Sequence, residues 1–259
     1  MKNHANDIIY LSNPEKVSMD DEWFDITNRE HFWMKWRFGV FKRCFSVFNE
    51  NNKKVKVFEI GCGNGINMQM METELGLTSD GCDLNEKALH IIEGVSGKKY
   101  LYNIFDCNTI MLEKYDVVLL FDVLEHIDDD LKFLRATAKH LKPGGLLIIN
   151  VPAHRLLYSV YDKQIGHVKR YGTKDMDELI LKAGLKIESS QFWGLLLVPV
   201  LILRKLILLV FRKRVIATGF KLPNQFVNKF FLALMWLEQK LYPKPFVGTS
   251  LFYVAKKKL

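Results

Sequence analysis

From Val55 onward the chain alternates between two patterns. Short runs rich in apolar and branched residues, "VKVFEI", "LTSDGCD", "KYLYNIF", "YDVVLLF" and "GLLIINV", predict strands. Between them "GINMQMMETEL", "NEKALHIIEG" and "DDLKFLRATAKHL" repeat their apolar residues at helical spacing. Such alternation predicts an α/β, doubly wound, Rossmann-like sheet with helices on both faces. Past Pro152 comes a loop rich in polar and aromatic groups, "AHRLLYSVYDKQIGHVKRYG". Thr173 then reads as the N-cap of a helix over "KDMDELILKAG", with Asp175 and Asp177 at its start and Gly184 at its end. "LKIESSQFW" and "GTSLFYVAKKK" predict a sixth and a seventh strand. Upstream, Asn28 to Glu50 reads as a helix crowded with Phe32, Trp33, Trp36, Phe38, Val40, Phe41 and Phe45.

One stretch breaks this rhythm. "FWGLLLVPVLILRKLILLVFRKR" runs from Phe192 to Arg214 and is the most apolar part of the chain. A membrane span needs about twenty predominantly apolar residues. Here Gly194 and Pro199 interrupt the run, and Arg204 and Lys205 divide it before the cluster Arg212, Lys213 and Arg214. The stretch begins where the sixth strand ends, and the seventh starts only near Thr249. The predicted division is therefore a helical lid over 1–50, an α/β core over 51–193, a helical insertion over 194–247 and a final strand over 248–259. The insertion includes a second amphipathic candidate, "NQFVNKFFLALMWLEQKL". It is read as lying on a membrane surface or capping the substrate, rather than crossing the membrane.

Charge placement sharpens that reading. The 259 residues carry a formal net charge of +8, with 49% hydrophobic and 25% charged residues, as in folded proteins. From Phe192 onward there are twelve Lys and Arg and the single acid Glu238, whereas the first 191 residues carry 25 bases and 28 acids. A near-neutral body with a basic, apolar tail fits an anionic lipid surface and argues against nucleic acid. The N-terminus lacks the apolar core of a signal peptide, and four scattered cysteines show no metal-ligand spacing. The expected location is the cytoplasm, with peripheral attachment to the inner face of the membrane and no metal. The oligomeric state stays open.

The chemistry centres on "VFEIGCGNG", Val57 to Gly65, a strand running into a glycine-rich turn. Ile66 stands where a dinucleotide fingerprint wants its third glycine, so the loop suits close backbone approach more than a pyrophosphate. Asp83 ends the second strand and can accept ribose hydroxyls. Glu59 lies within an apolar strand, where an acid needs a partner, such as a ligand ammonium. Glycine loop, ribose acid and ammonium acid together describe S-adenosylmethionine.

The ordered set "VFEIGCGNG", "GCDLNEKAL", "YDVVLLFDVLEHI" and "LKPGGLLIINVP" resembles class I S-adenosylmethionine-dependent methyltransferases, most of all their ubiquinone-biosynthesis-like branch. The resemblance is strong over Val55 to Val151. It implies a seven-stranded sheet of order 3-2-1-4-5-7-6 with the seventh strand antiparallel, and S-adenosylhomocysteine as product. It implies that Glu59, Gly61 and Gly63, with Cys62 between the glycines, line the methionine end. Asp83 and Leu84 would hold the ribose and flank the adenine, Asp106 and Cys107 would lie near the adenine amine, and Asp122 would end the fourth strand against the cofactor.

On the acceptor side, "LEH" at Leu124 to His126 either fixes its loop or contributes His126 to catalysis. The loop after the fifth strand offers His154, Tyr158, Tyr161 and Arg170 as acceptor-binding groups, with His167 and Tyr171 as candidates for proton transfer and Arg170 suited to an anionic group. A tied-down structural loop is the alternative. The leading expectation is methylation, at oxygen, of a small or lipid-linked acceptor at the membrane surface; no Asn/Asp-Pro-Pro-Tyr motif for amino-group methylation is present. The competing classes are an RNA or protein methyltransferase docking through its basic tail, and a cofactor-binding scaffold without turnover.

Overall fold

The computed structural model describes residues 7–15, 27–48, 54–210 and 222–259. The Arg212, Lys213 and Arg214 cluster lies outside them. Eight strands form one sheet: β1 (Ile8–Tyr10), β2 (Val57–Ile60), β3 (Ser79–Asp83), β4 (Lys99–Leu101), β5 (Tyr115–Phe121), β6 (Leu141–Pro152), β7 (Leu185–Trp193) and β8 (Ser250–Lys257). Their order is β1-β4-β3-β2-β5-β6-β8-β7. Strands β2 to β8 follow the expected seven-strand order, and β8 runs antiparallel to both β6 and β7. The eighth strand is a correction. β1 adds to the edge parallel to β4, so residues expected in a helical lid belong to the sheet.

Strand β5 shows why the central sequence runs are apolar on both sides. Val117, Leu119 and Phe121 join one buried cluster with Trp36, Phe41 and Met71, while Val118 and Leu120 join another with Leu134 and Ile180. Side chains alternate along a strand, so a run buried on both faces cannot carry a polar period. Helices α1 (Phe32–Phe48) and α2 (Ile66–Leu75) supply the first layer; after α3 (Glu86–Ile91), α4 (Asp130–His140) supplies the second with α6 (Thr173–Lys182). The short α5 (Val160–Gln164) lies in the loop between β6 and α6. The expected cap of α6 is shifted by one residue. Gly172 is the N-cap, and the Asp175 carboxylate accepts its N–H at 2.9 Å, which makes Thr173 the first helical residue.

After β7 the insertion folds as α7 (Val198–Val210) and α8 (Gln225–Leu241), with Asn224 accepting the Val227 N–H as the cap of α8. Pro199 sits in the first turn of α7, where no helical hydrogen bond is lost. Glu238, the one acid of this region, is buried and accepts the Gly194 N–H at 2.7 Å and the Leu196 N–H at 2.9 Å. It thereby satisfies donors left open at the start of the α7 segment. Helix α8 also clamps α1: Phe231 stacks on Phe32 at 4.4 Å, and Asn228 accepts the Phe32 N–H at 2.9 Å.

Helix α7 is polarised in an inverted sense. Arg204 lies over the Tyr161 ring at 3.9 Å, Lys205 donates to the Leu156 carbonyl, and Leu208 packs on Tyr161 and Ile165. The charges that divide the apolar run therefore turn toward the protein. Ile202, Leu203, Leu206 and Ile207 face outward, at 45–59% exposure. On α8, Phe226, Phe230 and Trp236 are likewise exposed. No helix among the described residues is long and apolar enough to cross a membrane.

Candidate active site

A cavity of about 650 Å³ opens at the carboxyl ends of the parallel strands, and its walls come from α1, the loops after β2 to β6, and the insertion. That position is where open α/β sheets bind ligands, and the volume falls within the roughly 300–1,000 Å³ typical of small-molecule sites.

One flank is the glycine turn after β2. Gly61 has φ +73°, and a Cβ built on it would meet Val123 Cγ2 at 2.4 Å. Only glycine fits there. The Gly63 N–H donates to Asp83 Oδ2 at 2.8 Å, and the Asn85 N–H donates to Oδ1 at 2.9 Å, so the carboxylate joins the turn to the end of β3. Burial raises the Asp83 pKa, and these N–H groups oppose the rise. Burial likewise pushes the Cys62 thiol well up, which suits an inert wall residue. Leu84, Asn103, Ile104 and Phe105 continue this flank.

At the centre, Arg37 reaches from α1 to the Asp122 carboxylate at the end of β5, and also donates to Asn67 Oδ1 at 2.8 Å. Asn67 Nδ2 donates to Glu59 Oε1. On the other side Asn150 Nδ2 donates to Asp122 at 2.6 Å, and Trp193 Nε1 donates to Asn150 at 2.8 Å. Asp122 holds φ +57°, an uncommon conformation for a non-glycine residue. Glu59 is 1% exposed and lies beneath the wall, touching the cavity only through Asn67. Burial raises its pKa to about 7, opposed by Asn67 and Arg37. Its Oε1 is thus partnered by an amide, and Asp122 is the acid that Arg37 meets at the wall.

The other flank holds His126, His167, Tyr161 and Arg170. Asp162 organises it. Oδ1 accepts Arg170 Nε at 2.7 Å and lies 3.2 Å from His167 Nδ1, while Oδ2 accepts the N–H and the hydroxyl of Ser159, both at 2.9 Å. Burial alone would raise the Asp162 pKa; the His167 hydrogen bond and the Arg170 charge outweigh it and bring it down to about 2. His167 Nε2 lies 3.7 Å from Glu125 Oε1. Glu125 is fully buried, and burial first, then the Asp122 charge, raises its pKa well above the usual carboxylate range. Burial, then the neighbouring His167, lowers His126 to about 3, so it is neutral near pH 7; its Nδ1 lies 3.1 Å from the Gly166 carbonyl. That contact ties two loops together. Glu125, His126 and His167 each offer one ligand atom, all within 4.8 Å of one another, a geometry that could hold a cation although no sequence spacing pointed to one.

Besides Glu59, five residues singled out in the sequence lie off this wall. Asp106 is exposed and accepts the Ser12 hydroxyl at 2.5 Å, and Cys107 faces Lys139 Nζ at 3.5 Å; both leave the adenine flank because Asn103 caps the turn Ile104–Asp106 and rotates them outward. His154 stacks on Phe192 at 5.2 Å, and Tyr158 donates to the His167 carbonyl at 2.8 Å. Tyr171 is buried, donates to the Leu124 carbonyl at 3.0 Å and lies 3.1 Å from Asp130 Oδ2, so it acts as a strut. The sequence reading passed over Arg37, Asn67 and Arg204. The place of Arg37 within an otherwise apolar buried face of α1 was the one available signal.

The residues present fit S-adenosylmethionine. A Cβ-free turn admits close approach, Asp83 faces the nucleoside flank beside apolar side chains, and the buried Arg37 and the half-buried Asp122 offer opposite charges to an amino-acid carboxylate and ammonium. Fold and site together define a doubly wound nucleoside-binding protein of the S-adenosylmethionine-dependent methyltransferase type. The chain belongs to the methyltransferase domain family, whose pattern it matches over residues 28–190, more than half its length. It is 33% identical over 139 residues to a ubiquinone biosynthesis O-methyltransferase of a Caulobacter species, covering 49% of this chain and 54% of that one. The matches to curated relatives of this name span 39–65% of those relatives' lengths. Among solved structures, a SAM-dependent methyltransferase from Archaeoglobus fulgidus superposes with a TM-score of 0.54 at 17% identity, covering 92% of this chain and 100% of that one. Phosphoethanolamine N-methyltransferase 2 of Haemonchus contortus, in complex with S-adenosyl-L-methionine, gives 0.52 at 16% identity, covering 84% and 53%. These likenesses concern the fold.

Proposed function

We propose that this protein transfers the methyl group of S-adenosylmethionine to a hydroxyl oxygen of a small or lipid-linked acceptor, working against the inner, anionic face of a membrane. The observation that carries the membrane half is the inverted polarity of α7. Its basic side chains point into the protein and Ile202, Leu203, Leu206 and Ile207 point out, while Val200 and Leu201 of the same helix line the cavity. An exposed apolar face of this kind, set at the mouth of a site, is a contact surface.

The bound cofactor would supply a methyl group already activated on sulfur. The protein's tasks are then alignment and proton removal. Arg37, Asp122 and Asp83 would hold the cofactor's two ends. His167 is the proton acceptor best supported by geometry: Asp162 fixes its Nδ1 side, which leaves Nε2 toward the cavity and Glu125. As the acceptor oxygen bonds to the methyl carbon and the sulfur–carbon bond breaks, the hydroxyl proton would pass to Nε2.

Flotation with vesicles of phosphatidylglycerol and phosphatidylcholine tests the surface. Leu203→Asp with Leu206→Asp is expected to weaken vesicle binding by roughly tenfold per leucine and to leave cofactor affinity unchanged. Undiminished flotation of this variant would sink the membrane reading. Salt-sensitive retention of RNA by the wild type would favour a macromolecular acceptor instead. His167→Gln is expected to lower turnover by about 10²–10⁴-fold with cofactor affinity intact.

A further inference from the structure

The far flank of the cavity carries two arginines, and only one of them forms an ion pair with a carboxylate among the described residues. Arg170 and Arg204 both stand on the wall. The Asp162 carboxylate is the acid between them, and it is saturated: Arg170 and His167 occupy Oδ1, and the Ser159 N–H and hydroxyl occupy Oδ2. Glu125 faces His167. Among the described residues no carboxylate forms an ion pair with Arg204, whose guanidinium lies against the Tyr161 ring at 3.9 Å. The guanidinium also hydrogen-bonds the Tyr161 side chain, and those of its five N–H donors not so engaged suit a planar or tetrahedral oxyanion. An arginine turned inward from a helix whose other charge, Lys205, is spent on the Leu156 carbonyl, and beside a saturated acid, is a group arranged for an external anion.

The surroundings limit what carries that anion. Arg204 is one helical turn from Val200 and Leu201, which line the same cavity together with Leu197 and Phe231. The acceptor must present a negative group and an apolar segment within one turn of a helix.

We infer that Arg204 is the anion-receiving residue of an acceptor subsite, and that the acceptor is an anionic amphiphile: an oxyanion, phosphate or carboxylate, attached to an apolar tail. This rests on the methyltransferase reading above and names the substrate class for it. The oxyanion sits on Arg204, the tail runs along Leu197, Val200 and Leu201 toward the outward face of α7, and the hydroxyl lies at His167. The insertion thus contributes to specificity as well as to docking.

The test needs no turnover. Protein saturated with S-adenosylhomocysteine is titrated calorimetrically with octyl phosphate, octyl glucoside and inorganic phosphate, the alkyl probes below their micelle concentrations. Octyl phosphate is expected to bind at least about tenfold more tightly than either other probe, as one charge-assisted contact implies. Arg204→Gln should abolish that preference and Arg204→Lys should restore part of it, with S-adenosylhomocysteine affinity unchanged in both. A phosphate preference that survives in Arg204→Gln overturns the assignment. Inorganic phosphate binding as tightly as octyl phosphate overturns the apolar tail. Failure of the wild type to bind S-adenosylhomocysteine would instead remove the methyltransferase reading itself, so the two failures are distinct.

Discussion

The guanidinium of Arg37 on α1 pairs with the carboxylate of Asp122 at the end of β5, across 85 positions of sequence. The pair joins the helix that covers the sheet to the strand end at the centre of the cavity, and it leaves a cation where an amino-acid carboxylate would arrive. Arg37→Met is expected to weaken S-adenosylhomocysteine binding by about 10- to 100-fold, the weight of a hydrogen bond to a charged group. Arg37→Lys should recover part of it, because the charge remains and the forked geometry does not. Calorimetry measures both, and wild-type affinity in Arg37→Met would mean that the carboxylate is received elsewhere.

Gly61 and Gly76 make a matched pair for the turn. Both have positive φ, +73° and +63°, but a Cβ at Gly61 collides with Val123 whereas one at Gly76 meets nothing within 4 Å. Gly76→Ala should therefore cost about 1–2 kcal/mol of stability, the strain of the left-handed conformation alone, with cofactor binding intact. Gly61→Ala adds displacement of Val123 on the cavity wall and should lose cofactor binding as well. Equal cofactor affinity in the two variants would show that the turn tolerates the shift.

The central strands could be read because β5 and β6 are buried on both faces and their runs stand out from the helical period between them, whereas the strand order came only with the family resemblance. β1 could not, since three residues at an edge make no period. Arg204 looked like an interruption of an apolar run. The sequence does not show which face of a helix turns inward, and here the charged face does. Asp83 stands on the cavity wall, as its place at a strand end suggested, whereas Asp106, in the turn that Asn103 caps, lies off it and meets Ser12. His167 and Glu125, 42 positions apart, meet only through the path of the loop after β6. The core was readable from local pattern, and the acceptor flank depended on tertiary contacts.

Acid should unfold this protein in two stages. His126 is held at about 3, far below its ordinary 6.5, chiefly by burial. A depressed histidine contributes stability that is complete above pH 6.5 and declines as pH falls toward its folded value, because the unfolded chain takes up the proton first. Asp162, lowered to about 2, contributes stability present above its unfolded pKa near 3.8 and lost as pH falls through 2. In urea unfolding, His126→Gln should flatten the decline between pH 6.5 and 4, and Asp162→Asn should flatten it only below about pH 4. An unchanged slope in His126→Gln would show that the ring is not held neutral.

Glu238 bears on how the insertion is attached. Its two oxygens hold the Gly194 and Leu196 N–H groups, and Gln in its place has one carbonyl oxygen to serve both. Glu238→Gln should therefore lower stability by about 1–3 kcal/mol, the penalty for a buried donor without its acceptor, and lower the melting temperature by roughly 2–4 °C per kcal/mol. The loosening should be local. Limited proteolysis within 194–247 is expected to accelerate, while S-adenosylhomocysteine affinity holds, because the glycine turn, Asp83 and Arg37 do not touch Glu238. Unchanged cleavage within the insertion, together with unchanged melting, would mean that the clamp of α8 on α1 through Phe231 and Asn228 is sufficient to seat α7 at the cavity.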